Sequence, residues 1–141
     1  MRAFVDTNVL LDFLLRREPH FGPAARLFDK MESGAVEAFV SAISFNNIFY
    51  LARKPLGGDG ARELLRDLRR VCRTVALDED ILDAAIELTI SDYEDAIQAV
   101  SAGRIQSPFI VTRNARDFEG SGINAYAAEE FLALLDEAAA Q

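Results

Sequence analysis

The chain has 141 residues, half of them hydrophobic, and a formal net charge of −8. That length suits a single domain over residues 1–141, since domains run to roughly 100–200 residues, and apolar residues spread along the whole chain exclude disorder. One cysteine, Cys72, excludes an intramolecular disulfide framework and a cysteine zinc site; no apolar run approaches the ~20 residues of a membrane helix; and the acidic balance argues against gripping nucleic acid through overall positive potential.

Arg2 leads at once into a short β-like run and an acid, not into an apolar core with a cleavage site, so a cytoplasmic protein without a signal peptide is expected. Ala3-Phe4-Val5 reads as the first strand and enters Asp6. Asn8 to Arg17 has helical spacing, with Val9, Leu10, Phe13 and Leu14 on one face. Pro19 to Ser33 reads as a second helix with Ala24, Leu27, Phe28 and Met31 inward and Gly34 as its stop. Ala38-Phe39-Val40 is a second strand, and Ser44 to Arg53 returns to helical spacing.

Pro55 and the Gly57-Gly58 pair break the chain. Ala61 to Arg73 is an amphipathic helix whose apolar side includes Leu64, Leu65, Leu68 and Cys72, which places the Cys72 thiol in the interior. Thr74 to Leu77 reads as strand three, and Asp78 as the cap of a helix over Glu79–Thr89. Another helix starts near Ser91 or Asp92 and runs to about Ala102. Phe109-Ile110-Val111 is strand four, Ile123-Asn124-Ala125 a short fifth, and Ala128 to Ala138 the last helix. Strands separated by helices predict right-handed crossovers. The fold class expected is a three-layer α-β-α sandwich around a mostly parallel sheet of four or five strands.

Parallel sheets bind ligands beyond the carboxyl ends of their strands, and three acidic groups fall there. Asp6 closes strand one, where helix capping is the competing explanation. Asp92 and Asp95 lie three apart at the start of a helix; Ser91 with Glu94 has capping-box spacing, which accounts for one or two of these acids but not all. The third group, Thr112-Arg113-Asn114-Ala115-Arg116-Asp117, follows strand four and also fits a polar turn. Carboxylates gathered at one edge repel unless a cation neutralises them. Oxygen donors without cysteine or a nearby histidine motif suit Mg²⁺ or Mn²⁺. His20, in a predicted connection, reads as a surface or helix-start residue.

Between Arg53 and Arg73, seven basic and three acidic residues give a local charge of +4 within an acidic body. Arg62, Arg66, Arg69, Arg70 and Arg73 recur opposite the leucine face, near Glu63 and Asp67. A solvated face with local ion pairs explains them; contact with an RNA backbone or an acidic partner is the alternative. Phe45, Phe49 and Tyr50 read as core or subunit interface.

Phe4-Val5-Asp6-Thr7-Asn8-Val9-Leu10-Leu11 resembles the opening of PIN domains, the fold of VapC-type ribonuclease toxins. Asp92-Tyr93-Glu94-Asp95-Ala96-Ile97-Gln98-Ala99 resembles the family's third acidic motif and Ile110 to Phe118 its fourth, while Ser41-Ala42-Ile43-Ser44 falls where the second belongs. The resemblance implies a metal-dependent endoribonuclease, possible toxin of a toxin–antitoxin pair. It implies Asp6 and Asp95 as principal Mg²⁺ or Mn²⁺ ligands, with Asp92 and Asp117 as further acids. Thr7, Asn8 and Asn114 become candidates to position water or phosphate. A homodimer and a small antitoxin protein are the implied partners, with RNA as substrate. Asn47 stands where many members carry glutamate and offers a carbonyl oxygen without charge. The alternative it supports is a catalytically silent module that binds RNA or a protein. An aspartate-nucleophile phosphatase is disfavoured, because Asn8 occupies the position where that chemistry wants a second acid.

Overall fold

The structure, a computed structural model, describes residues 1–141. Five strands form one wholly parallel sheet: β1 (Arg2–Val5), β2 (Glu37–Ser41), β3 (Cys72–Val75), β4 (Phe109–Val111) and β5 (Asn124–Tyr126). Their order is β3-β2-β1-β4-β5, so the chain builds outward from β1 in one direction and then restarts on its other side. The switch between β1 and β4 opens a crevice at the carboxyl ends, the usual ligand position in such sheets. Register fixes what lies there: Val5 pairs with Val111, so Asp6 and Thr112 emerge side by side. No helix is long and apolar enough to cross a membrane.

Alternation along the strands makes two cores, as the period of two requires. Ala3, Val5, Ala38, Val40 and Val111 face one way, against helices α1 (Thr7–Leu14), α2 (Phe21–Glu32), α3 (Ala42–Val71) and α6 (Ala128–Ala139). Phe4, Phe39 and Ile110 face the other way, against α4 (Glu79–Glu87), α5 (Tyr93–Arg104) and a 3₁₀ segment (Ala115–Ser121). This is the three-layer sandwich expected. In α2 the buried set is Ala24, Leu27, Phe28 and Met31, and Gly34 at φ 84° leaves the helix through a conformation that costs glycine little.

Of the expected break at Pro55 and the Gly57-Gly58 pair, the interruption falls at Gly57, whose φ of 74° is non-helical, while α3 runs through Pro55. Its second arm also ends earlier than periodicity suggested. Cys72 and Arg73, read as helix, begin β3, because residues 72–75 pair with 38–41. That pairing moves strand three back from Thr74–Leu77. The Cys72 thiol is interior, and burial pushes its pKa up to about 12. The 3₁₀ segment lacks any helical stripe in its sequence and is held by one side chain, Phe118, fully buried in the second core.

The basic stripe is largely self-satisfied. Arg66 pairs with Glu63 and Arg70 with Asp67, both exposed, while Arg73 pairs with Glu37 and Arg69 donates to Thr74 Oγ1 at 3.1 Å. Tyr50 is not core: it is 62% exposed, with the Arg53 guanidinium over its ring.

Candidate active site

Asp6 is 4% exposed although it is the residue that ends β1. Asp6 is the N-cap residue of α1, yet its carboxylate makes no side-chain capping bond to N–H groups further into the helix. Instead Gln98 Nε2 donates to Oδ1 at 2.9 Å and Thr112 Oγ1 donates to Oδ2 at 2.8 Å. The backbone is pinned as well, since the Asp6 N–H donates to the Val111 carbonyl at 2.9 Å. A buried carboxylate must be satisfied in this way or lose its charge. Burial pushes the Asp6 pKa up, opposed by the bonds from Gln98 and Thr112.

Asp6 forms part of a cleft of about 440 Å³ that no hydrophobic residue lines. Asp92, Glu94 and Asp95 enter it from the first turn of α5, and Asp117 from the 3₁₀ segment. Asn8, His20, Arg113 and Asn114 complete the wall. Asp95 is pushed up to about 7, first by burial and then by repulsion from Asp6, Asp92, Asp117 and Glu94. Glu94 is raised for the same reasons, burial ahead of Asp6 and Asp92. The carboxylates sense each other strongly. No three His, Cys, Asp or Glu side chains are gathered tightly enough to form a ready-made metal cage.

The residues singled out from sequence divide accordingly. Asp6, Asp92, Asp95 and Asp117 meet in the cleft, with Asn8 and Asn114. Asp92 serves two purposes: it is the N-cap of α5, accepting the Asp95 N–H at 2.9 Å, and it faces the cleft. The cap is thus Asp92 and not a Ser91–Glu94 box. Thr7 does not line the acidic cleft; it is buried at the edge of the neighbouring hollow, with Oγ1 2.7 Å from Ser44 Oγ and its N–H donating to Gln98 Oε1 at 3.1 Å. Asn47 lines a neighbouring hollow and donates from Nδ2 to Glu94. Glu94 therefore joins α5 to α3.

Gln98, Thr112, Glu94, Arg113 and His20 lie in or beside the polar groups singled out from sequence, but none is assigned a site role there. A signal existed for Gln98, three residues after Asp95 on the same helix, and for Thr112, which directly follows the strand beside β1. His20 is the N-cap residue of α2, as a helix-start reading required, but it also lines the cleft.

The fold is shared with solved structures. A Mycobacterium tuberculosis toxin, VapC20, described as cleaving the Sarcin-Ricin loop, aligns with TM-score 0.69 and 18% identity over 86% of this chain and 95% of its own. VapBC2 from Rickettsia felis, bound to a DNA fragment from its promoter, aligns with TM-score 0.65 and 13% identity over 89% and 97%. A toxin-antitoxin complex from Klebsiella pneumoniae aligns with TM-score 0.63 and 22% identity over 84% and 91%. No curated protein matches in sequence. The PIN domain family model matches residues 2–116, from β1 through the acidic turn of α5 and into the segment carrying Arg113 and Asn114; the chain belongs to the PIN domain family.

Proposed function

We propose that the chain is a metal-dependent endoribonuclease that hydrolyses RNA phosphodiester bonds. The observation that carries this reading is the convergence of Asp6, Asp92, Glu94, Asp95 and Asp117 on one polar cleft at the carboxyl edge of the sheet, where burial and mutual repulsion push Asp95 up to about 7. Such a site favours a cation. Its donors are all oxygen on the acidic side, which suits Mg²⁺ or Mn²⁺; Mg²⁺ keeps several waters and needs only one or two carboxylates, so a closed cage of three is not required. Asp6 and Asp95 are the ligands we assign, with Asp92 and Asp117 as further acids. When bound, the ion supplies Lewis-acid charge and lowers the pKa of a water to make a nucleophile near neutral pH.

The protein's own contribution is preorganisation. Gln98 and Thr112 hold both oxygens of Asp6, so its carboxylate does not reorient. The Asn114 N–H donates to Thr112 Oγ1 at 3.1 Å, which ties the loop after β4 to the same bond chain. Asn8 and Asn114 line the cleft and are assigned to orient water or phosphate. Thr7 acts by holding Gln98, and Asn47 acts through Glu94.

The fold likeness to toxins and toxin–antitoxin complexes supports a more specific role, the toxin of a VapBC-type pair held by a small antitoxin; a cytoplasmic homodimer is the form we assign to it. Asn47, uncharged where many family members carry an acid, favours a second reading, a silent PIN module that binds RNA or a protein. One assay separates them. Single-stranded RNA is incubated with Mn²⁺ or EDTA and wild type, Asp6→Asn or Asp95→Asn. The nuclease reading expects cleavage only by wild type with Mn²⁺; equal cleavage by a purified double variant would defeat it.

A further inference from the structure

The acidic cleft presents a difficulty for its own substrate. Five carboxylates line it, and RNA is a polyanion. One side chain on its wall is a permanent cation, Arg113, and its placement is unusual. Asp12, on α1, is 1% exposed, and Arg113 Nε lies 3.0 Å from its Oδ2. A buried aspartate needs a partner. Asp12 already has one, since Arg17 Nε donates to its Oδ1 at 3.1 Å. Arg17 is itself tied down, donating from Nη2 to the Asn8 carbonyl and to Asn8 Oδ1, each at 3.3 Å. The second guanidinium is therefore surplus to neutralising Asp12.

The geometry is that of an anchored donor. Arg113 meets Asp12 as an ion pair whose nearest approach is through Nε, no hydrogen bond within the chain occupies its terminal amino groups, and the side chain is 36% exposed where it borders the cleft. A guanidinium fixed at one nitrogen presents its remaining N–H groups as a planar fork, the arrangement that pairs with two phosphate oxygens. We propose that Arg113, held by the buried Asp12, is a phosphate anchor that seats a phosphodiester of single-stranded RNA against the carboxylate cluster. This rests on the nuclease reading for the identity of the ligand, but not for the existence of the anion site. His20, like Arg113, lines both the acidic cleft and the adjoining hollow beside Asp12.

The test uses the full chain and a short fluorescein-labelled single-stranded oligoribonucleotide, with Ca²⁺ in place of Mn²⁺ so that binding is read apart from cleavage. Affinity is measured against salt concentration for wild type, Arg113→Gln, Arg113→Lys and Asp12→Asn; Mn²⁺ affinity is measured separately by calorimetry. Arg113→Gln is expected to weaken oligonucleotide binding about tenfold and to reduce the salt slope by about 0.7, one phosphate contact on a single strand. Its Mn²⁺ affinity does not fall, because the substitution removes no carboxylate and takes a positive charge away from the cleft. Arg113→Lys retains the salt slope but loses part of the affinity, because charge remains and the fork does not. Asp12→Asn, which frees the guanidinium, falls between. If Arg113→Gln binds with the wild-type affinity and slope, the anchor is refuted and Arg113 merely partners Asp12. Should Arg113→Gln fail to fold, Arg113→Lys decides: an affinity equal to wild type overturns the proposal. Failure of wild type to bind Mn²⁺ sinks the nuclease reading instead, and leaves the anion measurement standing.

Discussion

Gln98 donates to Asp6 Oδ1 at 2.9 Å while its own Oε1 accepts the N–H of Thr7 at 3.1 Å. One fully buried amide thus holds the carboxylate at the end of β1 and the first turn of α1 at once, from α5 on the opposite face of the sheet. The bond exists in this orientation only: an amide nitrogen must face the carboxylate and an amide oxygen the backbone N–H.

Replacing Gln98 by Leu removes both bonds and leaves a buried carboxylate with one side-chain donor, Thr112. Stability is expected to fall by about 1–3 kcal/mol, the range for a buried polar group that loses its partner. Urea unfolding checks this. A change below about 0.3 kcal/mol would mean that Asp6 finds equivalent hydration, on the same scale of magnitudes.

Asp95 makes stability depend on pH with a defined sign. Its ordinary pKa is 3.8 and its folded value about 7, so between those limits the folded chain binds the proton more tightly than the unfolded one. The contribution is fully present below about pH 4 and lost as pH rises through 7. Metal-free protein is expected to melt at a higher temperature at pH 5.5 than at pH 8, within the window those values define. Mn²⁺ competes with the same proton, so its affinity should rise with pH over that window and its presence should flatten the melting curve against pH. Asp95→Asn should flatten it too, by removing the titrating group. A Tm that is independent of pH in EDTA would contradict the crowding of charges around Asp95.

Asn47 donates to Glu94, whose own pKa is raised by burial, Asp6 and Asp92. Asn47→Asp replaces that donor with a like charge. The expected loss is about 1 kcal/mol at pH 8, typical of a destabilising single substitution, and it should shrink towards pH 5.5, the direction in which the raised Glu94 pKa favours protonation. Equal loss at both pH values would point to packing and not charge.

The stripe on the second arm of α3 gives a contrasting expectation. Arg66 and Arg70 are 62% and 73% exposed and pair with Glu63 and Asp67 one turn away. Exposed pairs of this kind add little. Arg66→Ala with Arg70→Ala should leave the melting temperature within about 1 °C of wild type, well inside the shift that a kilocalorie produces in a chain of this size. A drop of several degrees would show that the arm's seat on the sheet depends on those charges.

Much of this architecture is local information. The alternation of Phe4 and Phe39 against Ala3, Val5, Ala38 and Val40, the spacing of Leu27, Phe28 and Met31, and the glycine after α2 all report preferences of short segments, so strands, helices and a parallel sheet are legible one element at a time. The acids at 6, 92, 95 and 117 are legible for a related reason, since each follows a strand or opens a helix and the carboxyl edge of a parallel sheet gathers such positions. What the chain alone does not reveal is which side chains complete one another across those elements. β3 starts at Cys72 because its backbone pairs with β2, against a helical stripe that runs on to Arg73. Gln98, Thr112 and Asp12 look like ordinary polar residues until burial restricts each to a few fixed partners, and burial is a property of the packed sheet. Hydrogen bonds and ion pairs between residues about ninety or a hundred positions apart, such as Gln98 with Asp6 or Arg113 with Asp12, have no periodicity to betray them; they arise only when β1 and β4 lie side by side.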